Sequence, residues 1–222
     1  MSPIDVRANA LDPSLRDVFG RTTSNDVRAD AQEAIYATGD VDDSLYLIES
    51  GQVKLSMSSA EGKDCLLAIY TAGEMFGESC FAPAGRRFEN ATAMQTSVLR
   101  RVSRRDFMAE VERTGTSDAL LRHLASRLEE RQNAVFDAVT MESERRLAKV
   151  LLGFAEKLAT IDGPYLRLDQ RISHEELSQI VGTTRPRVTA FMQRFRKLGL
   201  IETTGRAISV HRQRMRDFVA QE

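Results

Sequence analysis

The chain has 222 residues, 42% hydrophobic and 28% charged, an ordinary globular balance that excludes a disordered or fibrous polypeptide. No apolar run approaches the roughly 18 residues of a membrane span, and residues 1–10 contain no signal-like apolar core. Neither a membrane partner nor export is expected, and the cytoplasm is the default location.

After a polar start, the sequence predicts a short helix near Leu15–Phe19. From Ala34 to Val102 short strands alternate with glycine: Ala34–Thr38 before Gly39, Leu45–Ile48 before Gly51, Val53–Met57, and Cys65–Tyr70 before Gly73. Regularly spaced strands with Gly turns predict a sandwich or barrel of jelly-roll type. Metal-dependent enzymes of that architecture need clustered histidines, and none precedes His123. Within this region Phe76-Gly77-Glu78-Ser79-Cys80-Phe81 reads as a short helix start that offers free N–H groups to an anion. Glu78 can accept from a sugar hydroxyl, although the segment also reads as a structural turn with a satisfied carboxylate.

Ser103 is placed to cap a helix running through Val111. A long helix from about Ser117 to Met141 carries Leu121, Leu124, Leu128, Val135 and Ala138 at near-heptad spacing, interrupted where Arg131 meets the seam. Such a stripe needs a partner helix. Glu142–Thr160 predicts another helix, with Leu147, Val150, Leu151 and Phe154 as its core face. Asp162-Gly163-Pro164 then turns the chain into a short strand, Tyr165–Leu168.

Residues 172–201 read as two helices joined by a tight turn. Ser173 and Glu176 form an S-x-x-E capping box, flanked by Ile172 and Leu177 as a hydrophobic staple. Leu177, Ile180 and Val181 supply the buried side, and Gly182 ends the helix. Thr183 or Thr184 caps the second helix, with Pro186 tolerated in its first turn. Val188, Phe191, Phe195 and Leu198 form its apolar stripe, and Gly199 stops it with Leu200 placed for the accompanying apolar contact. Arg185, Thr189 and Arg196 lie together off the stripe, beside Gln193 and Lys197. A basic face beginning at a helix N-terminus suits major-groove reading, where Arg grips guanine bidentately. The Thr204-Gly205-Arg206 turn between two short strands has the shape of a wing, with Arg206 placed to meet a phosphate. Local charge agrees: residues 141–222 hold 15 Lys and Arg against 10 Asp and Glu, whereas the whole chain has a net charge of −1. Thr184, Arg185, Arg187, Thr189, Gln193, Arg196 and Arg206 make up the expected DNA-binding set.

The helix pair resembles the helix-turn-helix of the CRP/FNR family of bacterial transcription regulators, and the resemblance extends over nearly the whole chain. It implies an α+β fold: a cyclic-nucleotide-binding-like β-roll sensor domain (1–115), a dimerisation helix (116–141) and a winged helix-turn-helix domain (142–222). It also implies a homodimer bound to a palindromic operator in double-stranded DNA, with RNA polymerase as a further partner and no catalysis. Arg185 matches the family's guanine-reading Arg, while Pro186 stands where many members carry a base-reading Glu. The segment from Phe76 is similar to the start of the family's phosphate-binding cassette, making Phe76, Gly77, Glu78, Ser79, Arg86, Arg87, Glu89 and Asn90 candidate pocket residues. Where the family has an Arg followed by Ser or Thr for the cyclic phosphate, this chain has Glu89-Asn90-Ala91, a carboxylate in place of the cation. Arg131 and Gln132 replace hydroxyl residues of cAMP-binding members. Arg131 can pair an anionic effector or Glu89, or simply face solvent. A small effector therefore remains undefined, and cAMP is not expected.

Other chemistries find little support. His123, His174 and His211 are far apart in sequence, and two cysteines, Cys65 and Cys80, exclude a four-Cys metal or iron–sulfur site; no metal is expected. Cys80 near a helix start leaves open a redox-responsive or anion-responsive regulator acting partly through protein partners. An effector-independent regulator also remains open.

Overall fold

The structure, a computed structural model, describes residues 11–61, 64–83, 85–168, 172–205 and 207–220. The described residues divide into two compact units, one up to residue 130 and one from residue 131 onward.

The first unit is built on two four-stranded antiparallel sheets. One has the order β1 (Asn25–Ala29), β8 (Ser97–Ser103), β3 (Ser44–Ser50), β6 (Met75–Phe76); the other runs β2 (Ala34–Tyr36), β7 (Asn90–Ala93), β4 (Gln52–Ser58), β5 (Asp64–Thr71). Strand β3 shows why they form layers. Its alternate side chains leave opposite faces, and both sets are apolar. Tyr46 and Ile48 join Val53, Leu55, Tyr70 and Phe76 in one core. Leu45 and Leu47 join a second core with the helices α1 (Pro13–Arg21), α2 (Arg104–Thr114) and the start of α3 (Ser117–Thr140). Phe76 is fully buried, its ring stacked 5.0 Å from Tyr46. Asp12 caps α1 and Ser103 caps α2, the latter accepting from Asp106 N at 3.1 Å. Strand β2 is shorter than expected: Ala37 N bonds to the Asp40 side chain at 2.8 Å, which turns the chain before Thr38 can continue the ladder.

The second unit joins α4 (Ser143–Leu158), α5 (His174–Val181), α6 (Arg185–Lys197) and α7 (Arg212–Ala220) to a sheet ordered β11 (Ile201–Thr204), β12 (Ala207–His211), β10 (Tyr165–Leu168), β9 (Thr160–Asp162). The buried stripe of α4 is Leu147, Ala148, Leu151, Leu152 and Ala155, with Val150 and Phe154 only partly covered. The stripe sits one residue round from the expected face, with the small Ala148 and Ala155 fully buried on it. Arg146 supports two helix ends, its Nε bonding Val181 O at 3.0 Å and its Nη1 bonding Ala138 O at 3.1 Å, which satisfies carbonyls that helix ends leave open.

Candidate nucleic-acid interface and effector site

The pair α5 and α6 is defined by its caps. Ser173 Oγ accepts from Glu176 N at 3.1 Å and Glu176 Oε2 accepts from Ser173 N at 2.9 Å, the complete capping box. Such a cap contributes about 1 kcal/mol. Gly182 closes α5 at φ +67, a left-handed conformation in which a Cβ would be strained. Thr184 is the N-cap residue of α6, but its side chain makes no capping bond. The buried stripe of α6 is Val188, Met192 and Phe195. Phe191 is half-buried and Leu198 is 48% exposed. The buried stripe is turned toward Met192, adjacent to the expected Phe191, and Leu200, following Gly199 at φ +66, is buried beyond the helix end.

On the other side of α6, Arg185, Thr189, Gln193 and Arg196 share one face at helical spacing, Thr189 partly covered and the other three exposed. Thr189 Oγ1 donates to the Arg185 carbonyl at 3.1 Å and lies 2.9 Å from His174 Nδ1. Arg187 is also exposed, but projects from a different side, its guanidinium 5.6 Å from the Phe191 ring centre. Arg194 points elsewhere again, to Glu144 Oε2 at 2.8 Å on α4. The wing expected around residue 205 is formed by β11 and β12, paired from Ile201↔Val210 to Thr204↔Ala207. Arg206 lies outside the described residues. Sequence reasoning missed His174, whose position on α5 carries no motif by itself.

In the first unit, four of the predicted pocket residues, Gly77, Ser79, Arg87 and Glu89, are bonded to one another. Gly77, at φ +93, precedes a 3-10 turn at Glu78–Phe81, and a Cβ there would lie 2.9 Å from Ser44 O. Arg87 is buried: Nη1 donates to Gly77 O at 2.7 Å and Ser79 Oγ at 2.9 Å, and Nη2 to Asp42 Oδ2 at 2.8 Å and to Ser44 O. The guanidinium also lies 4.2 Å from the Tyr36 ring centre. Burial works against the Asp42 carboxylate, but hydrogen bonds from Arg87, Ser44 and Tyr46 outweigh it and hold the group at about 2. Glu89 is likewise buried, with Oε1 accepting from Tyr36 Oη at 2.9 Å and Ser79 Oγ at 2.7 Å. Its described partners are these hydroxyls; Arg131 and Gln132 belong to the other unit. Arg86 is exposed and donates to Gly39 O at 2.8 Å, while Asn90 accepts from Thr38 N at 2.8 Å, tying β7 to the end of β2.

Glu78 meets α3. His123 Nε2 lies 3.0 Å from Glu78 Oε1, and Arg127 Nε lies 3.5 Å from the same oxygen. Burial pushes the Glu78 carboxyl up, but the His123 bond and the Arg127 charge prevail, leaving it below its ordinary value. Arg127 also stacks over Tyr70 at 4.5 Å and bonds Met75 O at 3.2 Å. The sequence signal was the i, i+4 pair His123 and Arg127, which lies beside buried Leu120 and partly buried Leu124. Burial also pushes the Cys80 thiol up to about 12, so it is not a thiolate at neutral pH. Cys65 is exposed.

The stripe on α3 divides in two. Leu124 packs against its own core, so it is not available as a partner-facing residue. Leu121, Leu128 and Val135, seven residues apart, are exposed by 64%, 59% and 65%. Phe136, Ala138 and Val139 are exposed as well.

Comparison with known proteins matches these two regions separately. The cyclic nucleotide-binding domain model covers residues 26–114, and the Crp-like helix-turn-helix domain model covers residues 145–218. The chain is 33% identical to a CRP-like cAMP-activated global transcriptional regulator of Mycobacterium tuberculosis, over 79% of each chain. It is 30% identical to the cyclic AMP receptor protein of Thermus thermophilus, over 75% of this chain and 74% of that one. The fold resembles FixK2 from Bradyrhizobium japonicum, with a TM-score of 0.75 over 90% of this chain and 99% of that chain at 19% identity. A cyclic-nucleotide-binding-type roll and a Crp-like helix-turn-helix in one chain, with relatives of this identity and coverage, place it in a non-enzymatic class: the protein belongs to the CRP/FNR family of transcription regulators.

Proposed function

We propose that this regulator binds palindromic double-stranded DNA as a homodimer, reading each half-site with α6. The observation that carries the reading is the α6 face of Arg185, Thr189, Gln193 and Arg196. The side chains of Arg185 and Arg196 have no hydrogen-bond or ion-pair partner among the described residues. Exposed cations without an internal partner can turn toward bases or phosphates without breaking an ion pair. Thr184 and Arg187 flank this face as further contacts, and Arg206 is proposed as a phosphate contact of the wing. The segment 116–141 serves as the dimerisation helix through Leu121, Leu128, Val135 and Ala138, supported by the heptad of exposed apolar residues. RNA polymerase as a further partner and a cytoplasmic location are part of the same proposal; no helix among the described residues is long and apolar enough to cross a membrane.

The sensor unit is proposed to respond to a small effector other than cAMP, or to none. Two relatives are named for cAMP, but in this chain Arg87 is already paired with Asp42, and Glu89 occupies the place of the family's phosphate-pairing Arg. A cyclic phosphate would have to displace Asp42 and approach a buried carboxylate, both unfavourable in a low-dielectric site. The redox alternative finds no support at Cys80, given its burial and raised pKa.

Selection from random duplex DNA tests the DNA reading, with wild type, Arg185→Ala and Arg206→Ala compared side by side. Wild type should recover a palindrome with half-sites about 34 Å apart. Arg185→Ala should relax one position per half-site by about 1–3 kcal/mol. Arg206→Ala should weaken all sequences alike and reduce the salt slope by about one unit. An identical motif at equal affinity from Arg185→Ala would defeat the assignment.

A further inference from the structure

His174 opens α5 and lines a cleft of about 680 Å³ with Glu175, Arg185 and the wing residues Thr203 and Gly205. Its hydrogen bonding determines how the ring can titrate. Thr189 Oγ1 has a single proton, and its neighbour at 3.1 Å is the Arg185 carbonyl, which can only accept. When the ring is protonated, Nδ1 donates to the hydroxyl at 2.9 Å, which gives its own proton to the carbonyl. The second donor of the protonated ring, Nε2–H, is then left for another acceptor. Among the described residues nothing hydrogen-bonds Nε2.

We propose that His174 is a proton-linked contact of the DNA-binding face, its protonated Nε2 donating to a phosphate oxygen of the duplex while Nδ1 keeps Thr189 in place. The inference rests on the DNA-binding reading of α6. The groups that face the ring are Thr189, Arg185 and Arg196 from α6, with Ser173 and Glu175 beside it in its own segment. The wing contributes the uncharged Thr203 and Gly205 to the cleft, and Arg206 lies outside the described residues. Burial, then Arg185 and Arg196, hold the ring below its ordinary 6.5 in the free protein. A phosphate placed between these cations reverses the local field and raises the value. Binding then takes up a proton at pH values between the free and bound pKa. The sign follows: affinity is greatest below the free value and falls as pH rises through the bound one. One proton per protomer corresponds to about a tenfold change in affinity per pH unit. An Arg at this position would supply the charge at every pH, but its donor-only head group would not titrate.

The test is fluorescence anisotropy from about pH 5.5 to about pH 8 at fixed ionic strength. The probes are the palindromic duplex recovered by selection and a duplex of random sequence, each measured with wild type, His174→Gln and His174→Arg. Wild type should bind both duplexes more tightly toward low pH, approaching about tenfold per pH unit per protomer across the window. His174→Arg should hold the tight limit and His174→Gln the weak limit, both nearly independent of pH. Circular dichroism verifies folding, and the Arg variant alone decides the question should the Gln variant unfold. A flat wild-type profile, or a wild-type slope persisting in either variant, overturns the proposal while leaving DNA binding intact. No binding to either duplex at any pH overturns the DNA-binding reading together with it.

Discussion

Replacing Asp42 with Asn removes the charge that neutralises buried Arg87 while preserving side-chain size. The Arg87 side chain is fully buried and that of Asp42 is 10% exposed, with 2.8 Å between Nη2 and Oδ2. A carboxyl held at about 2 against an ordinary 3.8 contributes about 2 kcal/mol to folding at neutral pH. Removing one partner of a buried pair costs about 3–5 kcal/mol, and Asn retains an acceptor for Arg87, so the expected loss is about 2–4 kcal/mol. The pH dependence has a defined sign. Because the folded value lies below the unfolded one, the stabilisation is complete above about pH 5 and disappears as pH falls through the folded value near 2. Urea unfolding can be followed by tyrosine fluorescence: the chain has no Trp, and three of its four tyrosines, Tyr36, Tyr46 and Tyr70, lie in the sensor unit. The gap between wild type and Asp42→Asn should narrow from pH 7 toward about pH 3. A loss under about 0.5 kcal/mol at neutral pH, or a gap that acid leaves unchanged, would refute this account of the buried pair.

Further outcomes concern assembly and ligand choice. Leu128→Glu combined with Val135→Glu should give monomers in light scattering, since both side chains are exposed on the heptad; a persisting dimer would rule out this seam. Titration calorimetry with cAMP should give no micromolar binding, and such binding with a matching gain in operator affinity would reverse the reading of Glu89 and Asp42. Gly77→Ala should lower sensor stability, because its Cβ would stand 2.9 Å from Ser44 O in a left-handed conformation; thermal unfolding equal to wild type would show that the turn relaxes freely.

Much of the architecture was legible locally. The capping box at Ser173 and Glu176, Gly182, and Ser103 before α2 act within four residues of chain, and each appears where its chemistry places it. Strand Tyr165–Leu168 and the start of α3 were read with correct bounds for the same reason. The basic face was also available, because helical spacing alone brings Arg185, Thr189 and Arg196 together once α6 is identified.

The interior of the sensor needed the fold. Arg87 and Asp42 are separated by 45 positions, as are His123 and Glu78, and no local pattern announces either pair. Arg87 could be seen only as a displaced cation until the buried Asp42 showed that its charge was committed. Helix stripes posed a similar problem: Leu124 and Leu128 look equivalent in a heptad, yet the first meets the α1–α2 core and the second faces solvent. In this chain, side-chain pattern and capping chemistry sufficed to determine the elements, the family likeness and the direction of the basic face. Which charges remain free to meet a ligand was decided only by tertiary structure, because neutralisation depends on three-dimensional neighbours that sequence distance does not encode.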